Sequence, residues 1–282
     1  MMTFALAFAI LILVLALGIW FAAVLDGVFS RQLSGHGTVG LLAPFQLNWF
    51  LSIAGYLSVA ATGLAVVPFG PDLAVIGLDT SVVFWGACES LIVVLVFLHG
   101  WSPNAPLSLI GAYRYVAIGL PIMLPSMFVL IAVAIPAQSL DLRDIVASQE
   151  TVWNVIRQPL GLPLFLLLGL SLTLRGPFDY ADSDDLAGGT SAEDSGANRA
   201  GWQVARLAML VGFSAVASTA FLGGYLGPVL PGFVWVIIKT LVVMAIVIGL
   251  SHLLVRLPVA RMLGLIWKIL LPISFLDLLW AG

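Results

Sequence analysis

Charge is what this sequence has least of. Asp, Glu, Lys and Arg together make up 9% of its 282 residues, where a soluble domain carries about 25%. So few charged side chains cannot cover a water-facing surface. Cysteine is nearly absent as well: Cys88 stands alone in an apolar run. That excludes an intramolecular disulfide, a CxxC zinc site and an iron–sulfur cluster held by this chain alone. The three histidines, His36, His99 and His252, are too scattered to suggest a metal site. No cofactor motif is present, so any redox chemistry belongs to a partner. The net charge of −3 leaves no basic face for nucleic acid and no polybasic tail for a membrane surface. What is plentiful is apolar surface, 61% of residues with a mean hydropathy of +1.14. Membrane is the environment that fits.

A spanning helix needs about 20 mostly apolar residues. Eight segments qualify: Thr3–Leu25, Leu47–Phe69, Thr80–Leu98, Tyr115–Ala137, Val155–Leu174, Leu207–Tyr225, Phe233–Leu254 and Met262–Trp280. Turn residues separate them, as at Pro68-Phe69-Gly70-Pro71, Gly100-Trp101-Ser102-Pro103-Asn104 and Gly227-Pro228. The first segment superficially looks like a signal peptide, but no basic residue precedes Arg31, and it is read as an uncleaved helix. The expected fold is an all-α integral membrane bundle of about eight helices, residues 1–282 forming one transmembrane domain. With the N-terminus outside, the inner loops hold Arg31, Arg175, Arg199, Arg206 and Arg256, with Arg114 and Arg261 at adjoining helix ends. The opposite side holds Arg143 and Arg157. By the positive-inside rule both termini are expected outside.

The stretch 175–206, between the fifth and sixth segments, is expected to be an acidic cytoplasmic loop. Asp179, Asp182, Asp184, Asp185, Glu193 and Asp194 place six of the fourteen acidic residues within sixteen positions. Composition alone reads as a solvated, flexible loop, and Asp182–Asp185 lacks the glycine placement and distal glutamate of a calcium loop. Lys239 and Lys268 are left within or near spans, and Glu89 and Lys239 are the two intramembrane charges taken as candidates. An intramembrane carboxylate is a functional candidate by default, yet Glu89 could also be protonated or paired with Lys239 or an arginine. For Lys239 a structural pairing is at least as plausible as a catalytic role. Pro121 and Pro125 are expected to bend the fourth helix.

Several segments, in order, resemble one family. Gly100-Trp101-Ser102-Pro103-Asn104 with Leu109-Ile110-Gly111-Ala112-Tyr113-Arg114 is similar to its "GWSSN…LLGALR". Ser139–Val146 resembles "SLSLSDIV", Gln158–Gly161 resembles "QPLG", and Arg175–Asp179 resembles "RAPFD". Phe221–Pro228, Leu230–Trp235 and Lys239-Thr240 resemble "FLGGWLGP…LPGFIWFLLKT", and Trp267–Pro272 resembles "WKVLLP". The family is the heel membrane subunit of respiratory complex I, NADH-quinone oxidoreductase, known as the H subunit in bacteria and as subunit 1 in mitochondria. It is related to membrane subunits of energy-converting hydrogenases.

This resemblance implies a non-redox subunit in the respiratory chain of a cell inner (plasma) membrane. It would anchor a peripheral arm of iron–sulfur subunits, contact other membrane subunits, form the quinone chamber and carry part of the proton-translocation path. Quinone would be the substrate at the interface with partners. The implied chamber and coupling residues are Arg31, Arg175, Asp179, Asp182, Asp184, Asp185 and Glu193. On the same resemblance the family's helix-four and helix-five glutamates fall on Met123 and Leu172, and no acidic residue stands between Arg206 and Tyr225. Two alternatives stay open: the membrane anchor of an energy-converting hydrogenase or formate hydrogenlyase, and a free-standing transporter. The latter would need more polar midplane groups than the spans offer.

Overall fold

The computed structural model describes residues 2–30, 49–71 and 73–282, and among these the chain is helical apart from one isolated bridge between Gly70 and Leu73. Ten helices follow in order: α1 (Met2–Ser30), α2 (Gly55–Ala65, entered through a π-turn at Trp49–Ala54), α3 (Ser81–Trp101), α4 (Pro106–Ala134), α5 (Leu142–Ala147), α6 (Asn154–Arg157), α7 (Gly161–Leu172), α8 (Gly196–Phe221), α9 (Gly232–Leu253) and α10 (Val259–Ala281, with a π-turn at Ile266–Leu270). Each apolar segment expected from the sequence overlaps one of the longer helices, while α5 and α6 are short links. Five of them, α3, α4, α8, α9 and α10, are long and apolar enough to cross a membrane; the apolar stretches Ala5–Ile19, Ser52–Ala65 and Gly161–Leu172 are shorter. The chain is an all-α integral membrane protein.

At the centre stands α8. In its apolar window 83% of positions are buried, against 28% in α10 at the edge of the bundle. Small side chains make this possible. Apolar solvent gives helices no reason to associate, so they adhere through close packing, and small residues allow backbones to approach. Ala205, Ala208, Gly212, Ala215, Ala217, Ser218 and Ala220 supply that surface. At Gly212 a Cβ would stand 3.1 Å from the Ala60 carbonyl oxygen of α2. Pro121 and Pro125 are both carried within one continuous α4.

The fifth segment departs from expectation. Instead of a helix from 155 to 174, α7 begins at Gly161 and ends at Leu172. Its twelve residues rise about 18 Å, short of the ~30 Å hydrocarbon core. Its start is set by Gln158 in a non-helical conformation (φ −130°, ψ 76°) followed by Pro159, because the residue before a proline is pushed out of the helical region. Its end is marked by Leu174, at φ 52°. A helix end inside a membrane protein exposes carbonyls that need donors. Here the donors come from elsewhere in the fold. The Tyr56 hydroxyl donates to Leu172 O, the Tyr115 hydroxyl to Ser171 O at 3.3 Å, and Arg206 Nε to Thr173 O at 3.3 Å. That set of donors positions the site.

Candidate functional site: the acidic loop

The segment between α7 and α8 is folded rather than loose, and helix resumes at Gly196. Two 3₁₀ turns, Asp184–Leu186 and Gly189–Ser191, shape it. Gly189 adopts φ +52°, and a Cβ there would overlap the Ala181 carbonyl oxygen. Only glycine permits that approach, which brings the Thr190 N–H to Ala181 O at 2.9 Å. The loop lies directly on α4: a Cβ on Gly111 would come within 2.5 Å of the same carbonyl.

Side chains from four other parts of the chain hold this loop. Arg256, after α9, forks onto Asp179, with Nε donating to Oδ1 at 2.7 Å and Nη2 to Oδ2. Arg206, in the third turn of α8, donates through Nη1 to Asp182 at 2.8 Å and through Nη2 to Leu174 O. Arg114 of α4 donates to Asp185 at 2.6 Å. His99, at the end of α3, is buried, lies 2.8 Å from Asp194 through Nε2 and 3.1 Å from the Ser52 hydroxyl through Nδ1, and stacks on Trp202 at 3.7 Å. The arginine–aspartate contacts are charge-assisted and about twice as strong as neutral hydrogen bonds. The hydrogen bond from Arg114 holds the Asp185 carboxyl below the usual aspartate range. Burial pushes the Tyr180 phenol up to about 12, and its hydroxyl donates to Leu257 O at 2.5 Å.

These contacts wall two cavities. One of about 700 Å³ is lined by Arg114, Tyr180, Asp185, Arg256 and Leu257–Val259. The other, of about 310 Å³, is more polar and includes Asp179, Asp182, Asp184, Arg199 and Arg206. Asp184 and Glu193 are exposed, while Arg175 is partly buried at the loop's entry and engaged with its surroundings. Of the predicted site residues, Arg175, Asp179, Asp182, Asp184, Asp185 and Glu193 therefore share one end of the bundle. Arg31 lies outside the described residues. Sequence reasoning missed Arg114, Arg206, Arg256 and His99 as the groups that fasten the loop. The three arginines carried a signal in the charge count, which put them on the loop's side of the membrane. The histidine carried none.

Comparison with known proteins decides the family. The chain matches the NADH dehydrogenase family over residues 42–282. It belongs to that family. It is 34% identical over 238 residues to H subunit 1 of the NADH-quinone oxidoreductase of Rhodopseudomonas palustris (strain HaA2), covering 84% of this chain and 75% of the relative. It is 32% identical over 247 residues to H subunit 2 of the NADH-quinone oxidoreductase of Geobacter sulfurreducens (strain ATCC 51573 / DSM 12127 / PCA), covering 83% and 75%. Its fold is shared with a chain from the structure of the membrane-bound sulfane sulfur reductase, an archaeal respiratory membrane complex. There the TM-score is 0.82 at 20% identity, over 100% of both chains. As a member of the NADH dehydrogenase family, the chain is a membrane subunit of a complex I-like oxidoreductase.

Within this family member Glu89 and Lys239 lie apart from the loop. Glu89 of α3 is fully buried, and its Oε2 accepts from the Ser126 hydroxyl of α4 at 2.9 Å. Pairing of Glu89 with Lys239 does not occur. Lys239 Nζ instead donates to three carbonyls of the turn after α8: Leu222 O at 2.6 Å, Gly224 O at 3.0 Å and Leu226 O at 2.7 Å. An ammonium has three N–H donors, and all three are used. Its charge also lies 4.7 Å from the centre of the Trp153 ring.

Proposed function

We propose that this subunit anchors the peripheral, electron-carrying arm of an NADH/quinone oxidoreductase in a cell inner membrane, both termini outside, and forms part of the quinone chamber. The acidic loop is its coupling element. One observation carries the reading: four separate parts of the chain hold the loop in a fixed shape beside a 700 Å³ cleft, while Asp184 and Glu193 stay exposed for a partner. Arg175→Ala is expected to weaken quinone reduction severalfold while electron transfer to a hydrophilic artificial acceptor persists. The substitution leaves the apolar length of every span intact, so the complex still assembles. Equal loss of both activities would assign Arg175 a purely structural part.

Partner subunits recovered from native membranes test the anchoring reading. Iron–sulfur and NADH-oxidising subunits support it; a nickel–iron large subunit would favour the hydrogenase-type alternative.

The same reading makes the proton path through this subunit unusual. Met123 and Leu172, where the resemblance sets the family's helix-four and helix-five glutamates, are both buried apolar side chains. Neither can bind or release a proton. Ser126, the partner of Glu89, stands three residues beyond Met123 on α4 and so on the same helix face. Glu89 thus offers a carboxyl group about one turn from the position that Met123 fills. Glu89→Gln is expected to lower the yield of pumped protons per electron with quinone reduction retained. Unchanged pumping in Glu89→Gln, and again after removal of the loop carboxylates, would rule out this route.

A further inference from the structure

A second buried carboxylate lies at the opposite end of the bundle, where no part of the proposed reaction uses it. Asp277 of α10 is 2% exposed, and its Oδ2 has no hydrogen-bond partner among the described residues. It lines a groove of about 630 Å³ whose other walls are Pro159, Leu160, Leu276, Leu279 and Trp280. Apart from the carboxyl group this groove is apolar. One reason Asp277 sits so deep is Gly161, the first residue of α7: a Cβ there would stand 3.1 Å from Asp277 Oδ2. The positive end of the α7 dipole faces the carboxyl group, the orientation that suits a negative charge. Two amides just before α7 also keep unpaired acceptors among the described residues. Asn154 and Gln158 spend their N–H groups on Ala220 O and Ala132 O, which leaves the buried oxygens Asn154 Oδ1 and Gln158 Oε1 without donors. Buried acceptors without donors are rare in native proteins, because each forfeits solvation that nothing replaces.

Alongside the groove α10 turns an apolar strip outward. Leu276, Leu279 and Trp280, at helical spacing, are 58%, 62% and 77% exposed. Such a strip fits a helix–helix contact or lipid. The carboxylate discriminates between them: an acyl chain brings no donor, whereas a helix can bring a cation. We propose that this groove is the docking site for a transmembrane helix of another subunit, and that a Lys or Arg on that helix pairs with Asp277. Charge complementarity selects this occupant, since among the described residues no cation of this chain reaches Asp277.

The test uses the whole complex in its native membrane. A photo-crosslinking amino acid is placed at Leu276 and, separately, at Leu279, and adducts are identified by mass spectrometry. The expected adduct is a transmembrane helix of a different subunit carrying Lys or Arg within about one helical turn, roughly 5.4 Å, of the crosslink. Adducts to lipid alone, to a second copy of this chain, or to a helix without a cation there overturn the proposal. A charge swap gives the second arm. Asp277→Lys is expected to release that subunit in mild detergent, and reversing the partner's charge is expected to restore its retention; failure of the swap to restore it counts against the pair. The proposal rests only on the chain being a subunit of a membrane complex. A complex lacking NADH-oxidising subunits would refute the electron donor proposed above and leave the crosslink result intact.

Discussion

Arg206→Met is expected to free the acidic loop and to abolish most quinone-linked turnover. Arg206 and Asp182 are largely buried, with 17% and 11% of their side chains exposed, and the same guanidinium also serves Thr173 O and Leu174 O at the end of α7. Removing one partner of a buried ion pair leaves the other charge uncompensated and destabilises by roughly 3–5 kcal/mol. Much of that loss is local, because α8 keeps its packed core from Ala208 to Phe221. The variant should therefore insert, yet show rapid proteolysis between Asp184 and Glu193. Arg206→Lys should recover only part of the protection, since a point charge cannot serve a carboxylate and two carbonyls as the planar fork does. A proteolysis pattern like that of the unaltered protein would mean that the loop is held without Arg206.

Lys239→Met should weaken the fold at the other end, where the ammonium gathers the carbonyls of Leu222, Gly224 and Leu226. Methionine keeps most of the side-chain volume but donates nothing. Gly224 O is buried and the other two acceptors are half-buried, so the loss should reach about 1–3 kcal/mol. A lower Tm of the purified complex, together with looser retention of this subunit, is the expected result. Quinone turnover in the fraction that remains assembled should be unaltered, because this site lies away from the acidic loop. A normal Tm would show that the turn after α8 holds its shape unaided. Reduced turnover in a fully stable complex would give Lys239 a part in the reaction.

The contrast between these two cations shows how far the sequence could be read. Both were visible as charges in a chain poor in charge. The positive-inside count grouped Arg206 with Arg114, Arg175 and Arg256, and the structure brings Arg114, Arg206 and Arg256 into ion pairs with loop aspartates. Their individual partners were not legible, since Asp179 meets Arg256 across 77 positions of sequence. For Lys239 a carboxylate partner was the natural expectation; the turn carbonyls replaced it because the α8–α9 link folds back over the ammonium. His99 gave no signal in sequence. An isolated histidine looks the same whether it faces lipid or stands, as here, between Ser52, Asp194 and Trp202.

The loop itself was misjudged by composition. Six acidic residues with an intervening Gly-Gly pair describe a solvated, flexible segment when only their own charges are counted. Arginines from α4, α8 and the link after α9, with His99 of α3, reverse that, as charges repelling within a segment become anchors once partners arrive from elsewhere. Pattern could not have foreseen this.

By itself the sequence determined that this protein lives in a membrane, that it is built from apolar helices, and which family it resembles. Those properties depend on composition and on short ordered motifs, and each residue reports on them independently. Tertiary structure decided that α7 stops after twelve residues, because its last carbonyls find donors in Tyr56, Tyr115 and Arg206. It also decided that Glu89 meets Ser126 rather than Lys239, and that Asp277 Oδ2 lies buried without a donor among the described residues. Each of these is a contact between residues far apart in the chain. The hydropathy of a segment fixes that it enters the membrane, and packing alone fixes which polar atoms meet there.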